Sequence, residues 1–366
     1  MSRFVRAEVR ALRAYTLDLA PCRFKLDQNE VPWELPRRLK EEVARRLVDR
    51  EWARYPDFHS DRLRQRLAVA HAWSPDGVLV GNGSNELLAA TLAAVGGPGR
   101  EILGLAPSFG LYPVFALQAG ARYRAVGPRA DLALPVEELE REIDRDPRRP
   151  VLVASPNNPT GEAIPPATIA RWAAKLAAAD APLLLDNAYG EFCRHDYRPL
   201  LARNPNLVVF RTFSKAWSLA GIRLGYLLAA PEVVAEIVKM KLPYNLGQAG
   251  TIAGELALAN AALVERRVRL LVARRAQWRA LLAASQEEVF ASEANFLLVR
   301  NKREKSLLVK DSLAERGIRV RDVSAGPGLE GCLRFSIGTG AALRAVAQTL
   351  DEHLSFTESL SLQEPR

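Results

Sequence analysis

Short apolar runs alternate with helix-length segments through the middle of this 366-residue chain, and that alternation constrains its fold more than any other feature. The runs are Val78–Val80, Glu101–Leu105, Val151–Ala154, Leu183–Leu185 and Leu207–Phe210. Short apolar strands separated by helices predict an α/β fold with a mostly parallel, buried sheet. Four of the runs end in polar residues. Val80 leads into Gly81-Asn-Gly-Ser-Asn-Glu86, Ala154 into Ser155-Pro-Asn-Asn-Pro-Thr-Gly161, Leu185 into Asp186-Asn-Ala-Tyr189, and Phe210 into Arg211-Thr-Phe-Ser-Lys215. Ligands of open α/β sheets bind outside the carboxyl ends of the strands, so these four turns are expected to build one site.

The flanks read differently. Leu26-Asp-Gln-Asn-Glu-Val-Pro-Trp33 is polar and carries a proline, as an extended arm would, and a helix is expected from about residue 36 to 49. A long amphipathic helix is expected over 261–284, where Val264, Val268, Leu271, Trp278 and Leu282 recur near helical spacing. Apolar runs at 295–299, 318–320 and 333–337 with a helix near 305–316 then suggest a small α+β domain. The tail from Ser355 is expected to be weakly ordered.

The densest local signal is Arg211-Thr-Phe-Ser-Lys-Ala-Trp-Ser-Leu-Ala-Gly-Ile-Arg-Leu-Gly-Tyr226. Lys215 follows the hydroxyls of Thr212 and Ser214, and Arg223 comes shortly after, an arrangement that can hold a phosphate and set an amine beside it. A lysine that forms a Schiff base with pyridoxal phosphate needs both. The other turns supply what that cofactor requires. Gly83, Ser84 and Asn85 open a helix whose free N–H groups suit a phosphate. Asp186 can face a pyridinium nitrogen, Tyr189 and Asn158 can donate to a phenolic oxygen, and Phe109 can stack on the ring. A substrate anion calls for a donor fork, which Arg334 on a predicted apolar strand can supply, with Arg321 assisting. Taken singly, these residues fit plainer roles: a basic loop, a helix cap, a turn, a core aromatic or, for Arg321, a solvent-facing charge.

Bulk properties narrow the classes. The length suits two domains, and 48% hydrophobic with 25% charged residues is the balance of a soluble globular protein. The sequence has no apolar run near the roughly 20 residues of a membrane span and no apolar core of a signal segment, so a cytoplasmic location and no membrane partner are expected. Three scattered cysteines, Cys22, Cys193 and Cys332, fit a reducing compartment, and no His or Cys spacing predicts a metal. The net charge of +9 is spread through helical patterns such as Glu265–Arg275, without zinc-finger, RNA-motif or basic-tail signatures. No nucleic-acid partner is expected, although the charge can draw an anionic substrate or cofactor.

Together these motifs resemble the class I/II aminotransferases of the fold-type I pyridoxal-phosphate-dependent transferases, most closely their histidinol-phosphate branch. The resemblance runs from about residue 25 to 345. Besides the turns above it rests on Asn29-Glu-Val-Pro-Trp33, Arg54-Tyr-Pro-Asp57, Pro243-Tyr-Asn245, Ala294-Asn-Phe-Leu-Leu298 and Leu333-Arg-Phe-Ser-Ile-Gly-Thr339. It implies a large α/β/α domain over 45–255 and a small α+β domain formed by 1–44 with 256–366. It implies a homodimer in which Tyr55 reaches the partner subunit's cofactor phosphate. Lys215 would act as the imine and then as proton shuttle, and Asn29 would help shape the substrate pocket. Arg334 would take a substrate carboxylate or, with Arg321, the phosphate of histidinol phosphate. The implied reaction moves an amino group from a donor to a keto or aldehyde acceptor, with histidinol phosphate and 2-oxoglutarate as the first pair. An aromatic or other amino-acid aminotransferase and a threonine-phosphate-type decarboxylase are the alternatives. Three positions depart from the family's usual residues: Asn187 replaces glutamate, Asn85 replaces aspartate, and Val31 replaces asparagine. Asn85 and Asn187 are expected to line the cofactor region.

Overall fold

The computed structural model describes residues 4–14, 16 and 20–361. Its first strand, β1 (Phe24–Leu26), belongs to a sheet completed only near the other end of the chain. The intervening residues form a seven-stranded sheet: β2 (Val78–Gly81), β3 (Glu101–Leu105), β4 (Arg122–Val126), β5 (Val151–Ala154), β6 (Leu183–Asp186), β7 (Leu207–Thr212) and β8 (Gly225–Leu228), in the order β2-β8-β7-β6-β5-β3-β4. Strands β4, β3, β5, β6 and β7 run parallel, while β8 is antiparallel to both β7 and β2.

Alternation of side chains explains why the central strands carry unbroken apolar runs. Val151, Val153, Leu183, Leu185, Leu207 and Val209 enter the core on one face. Leu152, Ala154, Leu184, Val208 and Phe210 enter the core on the other. Both faces are covered by helices, so every position must be apolar. The chain moves outward from β3 to β4, then returns to build β5, β6 and β7 on the other side of β3. A reversal of this kind opens a crevice at the carboxyl ends of the strands on either side.

The second sheet has the order β1-β11-β12-β10-β9, with β9 (Glu288–Val289), β10 (Phe296–Arg300), β11 (Ile318–Asp322) and β12 (Cys332–Ser336). The Ala261–Ser285 helix buries Val264, Leu271, Trp278 and Leu282 in a core shared with Phe296, Leu313, Phe335 and Val346. Tyr189 and Ala216, from the turns after β6 and β7, also reach this core. The small sheet is thereby fastened against the carboxyl edge of the large one.

The structure corrects several expectations. Strand β4 escaped notice because it is an arginine-bearing edge strand with little burial. Strand β8 begins at the end of the Lys215 run and returns antiparallel after a single 3-10 turn, Ala220–Ile222, so no α-helix precedes it to mark it. A division at residue 45 would cut the Arg37–Val48 helix, whose Leu39 packs in the larger core. A division after residue 255 would likewise cut the Gln248–Ala259 helix, which places Ala253 and Ala257 in that core. The final helix, Gly340–Ser361, continues past the point where a loose tail was expected, and residues 362–366 of that expected tail lie outside the described residues. Among the described residues no helix is long and apolar enough to cross a membrane.

Trp278 is fully buried at the centre of the smaller core. Trp278→Ala should destabilise the protein by about 3–5 kcal/mol through lost transfer energy and the cavity left behind. A lowered midpoint in urea unfolding followed by circular dichroism checks this, and an unchanged midpoint would contradict the packing described.

Candidate functional site

A cavity of about 370 Å³ opens at the carboxyl edge of the large sheet. It is lined by Asn29, Ser84, Asn85, Phe109, Asn158, Asp186, Tyr189, Thr212, Ser214, Lys215, Arg223 and Arg334. The sequence turns expected to converge do so. Gly83 is not itself on the cavity wall but is buried just before it, where its φ of 83° lets the chain turn into the Ser84–Val95 helix. A Cβ on Gly83 would lie 2.6 Å from the Arg223 guanidinium, and one on Gly225 would lie 2.3 Å from the Ser84 nitrogen. Two absent side chains therefore let the start of β8, an arginine and the opening N–H groups of a helix meet at one point. Those N–H groups have no carbonyl to bond within the helix, so the cradle suits an anion.

Arg223 holds a left-handed backbone conformation (φ 59°, ψ 56°). Its Nη1 donates to Ser214 Oγ at 3.1 Å and to the Ala220 carbonyl at 3.1 Å. The Thr212 hydroxyl accepts from the Ser214 N–H at 3.0 Å, which keeps both hydroxyls on the Lys215 turn.

Lys215 Nζ donates to the carbonyl of Gln28, on the arm, at 2.8 Å. Loss of water, with the positive charges of Arg334 and Arg223 nearby, pulls its ammonium from the ordinary 10.5 down to about 7. Asp186 lies in the same cavity with the opposite perturbation: burial raises its carboxyl above the ordinary range. The Tyr112 hydroxyl, donating to Oδ2 at 2.8 Å, and the Ala188 N–H, donating to Oδ1 at 3.1 Å, oppose that rise. A cation positioned against Asp186 would hold it ionised.

The opposite wall comes from the small sheet. Arg334 Nη1 donates to Asn158 Oδ1 at 2.6 Å, and Nη2 donates to the Asp27 carbonyl at 2.6 Å. The first bond orients the Asn158 amide and leaves its Nδ2 as the donor end. Asn29 Nδ2 donates to the Tyr189 hydroxyl at 2.9 Å, while the Asn29 N–H donates to Ser336 Oγ at 2.8 Å.

Three expected participants stand elsewhere. Tyr55 is exposed and stacks on Tyr244 with ring centroids 4.3 Å apart, beside a separate cavity. Arg321 faces Arg334 in the strand register but lines another cavity and donates to the Thr16 carbonyl at 3.3 Å. Asn187, expected to line the cofactor region, turns behind it. Its Nδ2 donates to the Ser155 carbonyl at 2.6 Å, and its Oδ1 accepts from Arg211 at 2.9 Å. A strand end points alternate side chains to opposite faces, so Asp186 and its neighbour cannot share one pocket.

Tyr112 and the Gln28 carbonyl were missed. Tyr112 is fully buried, bonds Asp186, and packs edge-on to Phe109 with centroids 5.5 Å apart. The available signal was its place just beyond Phe109, where the turn after β3 passes into the Tyr112–Gln118 helix. A backbone carbonyl leaves no trace in side-chain chemistry. Among the described residues, no three His, Cys, Asp or Glu side chains cluster as a metal site would need.

Comparison with known proteins identifies the family. The family model for aminotransferase class I and II matches residues 23–350. Histidinol-phosphate aminotransferase 1 of Carboxydothermus hydrogenoformans is 37% identical over 96% of this chain and 99% of its own length. The histidinol-phosphate aminotransferase of Thermococcus gammatolerans is 38% identical over 90% of this chain and 92% of its own. Among solved structures, histidinol-phosphate aminotransferase from Sinorhizobium meliloti, in complex with pyridoxal-5'-phosphate, superposes with a TM-score of 0.85 at 24% identity, covering 96% of this chain and 98% of that one. L-threonine-O-3-phosphate decarboxylase from Porphyromonas gingivalis shares the fold, with a TM-score of 0.75 at 21% identity over 91% and 99% of the two chains.

The Lys215 shift has a measurable consequence in protein free of ligand. Between about 7 and 10.5 the unfolded chain holds a proton that the folded chain has released. Unfolding there takes up a proton, so Lys215 makes stability rise with pH across that window. Lys215→Met should flatten the rise in urea-unfolding series taken from pH 7 to 10; an identical slope in the variant would contradict the buried amine.

Proposed function

The chain belongs to the class I and II aminotransferase family, and from that premise we propose that it transfers an amino group between histidinol phosphate and 2-oxoglutarate, with pyridoxal phosphate as its cofactor. The observation that carries this reading is the meeting of Lys215, Asp186, Asn158, Tyr189 and Arg223 in one cavity. Relatives named for histidinol phosphate, 32–39% identical over most of the chain, support the choice of substrate.

The residues present fit the cofactor. The cradle of Gly83, Ser84, Asn85, Thr212, Ser214 and Arg223 would take the phosphate. Asp186 would face the ring nitrogen, Asn158 and Tyr189 the phenolic oxygen, and Phe109 the ring face. When bound, pyridoxal phosphate supplies an electron sink for negative charge developing at the substrate carbon. Burial opposes the Asp186 charge and the Tyr112 hydroxyl supports it, so a protonated ring nitrogen facing the carboxylate would hold it ionised. Lys215 acts as base and then acid, for which an amine near 7 offers both protonation states at working pH. Arg334 offers a donor fork to the substrate's anionic group, and the arm carrying Asn29 closes the cavity and limits water. The glutamate carboxylate and the histidinol-phosphate phosphate would compete for that fork. Arg321, paired with Arg334 across β11 and β12 but lining another cavity, has no part in this reading.

A homodimer belongs to the same reading. Trp52, Tyr55, Leu242 and Tyr244 form an exposed apolar and aromatic surface, and Tyr55 would reach the cofactor phosphate of a second copy from there. The two sheets support a large and a small domain, with the breaks moved to the residues before the Arg37–Val48 helix and to Asn260. A cytoplasmic setting suits the three free thiols, Cys22, Cys193 and Cys332.

The direct test mixes purified protein carrying pyridoxal phosphate with histidinol phosphate or with glutamate alone and follows the cofactor's visible band. Loss of the band with both donors is expected; no change with either would sink the aminotransferase reading, and release of carbon dioxide would favour a decarboxylase. Lys215→Ala should retain no cofactor after borohydride reduction, assayed by intact mass. Tyr112→Phe removes a hydroxyl bonded to a buried carboxylate, a bond contributing about 1.5–3 kcal/mol, so cofactor affinity should fall roughly tenfold to a hundredfold. Fluorescence titration with pyridoxal phosphate measures that fall, and wild-type affinity would remove Tyr112 from the account.

A further inference from the structure

Arg267 lies outside the cavity yet touches both segments that cover Lys215. Its Nη2 donates to the Glu34 carbonyl at 2.8 Å and its Nη1 donates to the Ser218 hydroxyl at 3.2 Å. Its guanidinium also lies 5.9 Å from the Trp33 ring, which Arg274 approaches to 5.4 Å. Trp33 and Glu34 end the arm that starts at Asp27. Ser218 ends the turn that starts at Lys215: its N–H donates to the Lys215 carbonyl at 3.3 Å, in a left-handed conformation with φ 59°. At the other end of both segments, Lys215 Nζ donates to the Gln28 carbonyl at 2.8 Å. The contacts close a circuit from Lys215 through Ser218, Arg267 and Glu34 back along the arm to Gln28 and the lysine amine.

We propose that Arg267 is a positioning residue, a clasp that fixes the arm's height over Lys215 and so governs how readily the amine exchanges its proton. The proposal rests on the cofactor reading above. Opposing effects follow when the clasp opens. Losing the Gln28 acceptor and drawing Glu30 away would disfavour the ammonium, whereas water entering beneath the arm and the withdrawal of Lys25, paired with Glu30, would favour it; Arg334 and Arg223 stay in place on the cavity wall. Burial is the largest cause of the depressed Lys215 ammonium, so rehydration prevails and the amine becomes more basic.

The test uses the full-length protein stripped of cofactor, with pyridoxal phosphate as the probe. Only the unprotonated amine adds to the aldehyde carbon, with water leaving, so the uptake rate against pH reports the amine's midpoint. Arg267→Ala should raise that midpoint by about one pH unit and Ser218→Ala by less, with Arg267→Lys returning it towards wild type. Hydrogen exchange of residues 27–35 should quicken by about tenfold in Arg267→Ala. A role confined to packing would lower the thermal midpoint and move neither readout. Unchanged uptake midpoints with unchanged arm exchange would overturn the clasp. If Arg267→Ala does not fold, Ser218→Ala decides by the same two measurements. Arm exchange needs no cofactor, so it judges the clasp even if the wild-type protein takes up none, an outcome that would sink the cofactor reading instead.

Discussion

Withdrawal of water from one amine underlies most of the arrangement around it. Lys215 stands at the end of a central strand, with two guanidinium groups near enough to disfavour its charge and a carbonyl from a distant segment as its partner. A lysine in that position is costly unless the surrounding parts are held accurately. The parallel strands bring the turns to one edge, the small sheet supplies the facing wall, and the arm covers the top. Each part constrains the polarity or the hydration of the same nitrogen.

Charge is balanced behind the cavity as well as within it. Arg211 is buried at the end of β7, where Glu191 pairs with it at 2.8 Å and Asn187 gives it an uncharged acceptor. Trp217 donates its ring N–H to the same Glu191 oxygen at 2.9 Å. This network ties the turns after β6 and β7 together beneath the residues that face the ligand. Asn187 belongs to that support, its side chain bonding the Ser155 carbonyl and Arg211 behind the cavity. Of the other two departures, Asn85 lies on the cavity wall and Val31 packs against the smaller core.

Much of this was legible in the sequence because the relevant signals are local. An apolar strand that breaks into Asp186 or into Thr212-Phe-Ser-Lys215 announces both the strand and the edge at which it stops. What escaped had its cause elsewhere. Strand β8 is defined by antiparallel partners on both sides and by the contact of Gly225 with the Ser84 turn. Tyr112 reads as a packing residue until Asp186, 74 positions away, is placed beside it. Arg321 and Arg334 look alike along the chain and even stand opposite each other across β11 and β12, yet in the fold one lines the cavity and the other lines a different one. The expected domain breaks at 45 and 255 fall inside helices for a related reason: apolar faces choose their core by three-dimensional proximity.

The bond between Arg334 and the Asp27 carbonyl joins residues 307 positions apart. Closing so long a loop is slow and gains nothing until both ends are present. Translation therefore makes the strands of the large sheet, and Asp186 and Lys215 with them, before the arginine that faces them. Until β12 lies between β11 and β10 and the arm covers the lysine, the setting that disfavours the Lys215 ammonium is incomplete. The basicity of one amine thus depends on both ends of the chain being in place.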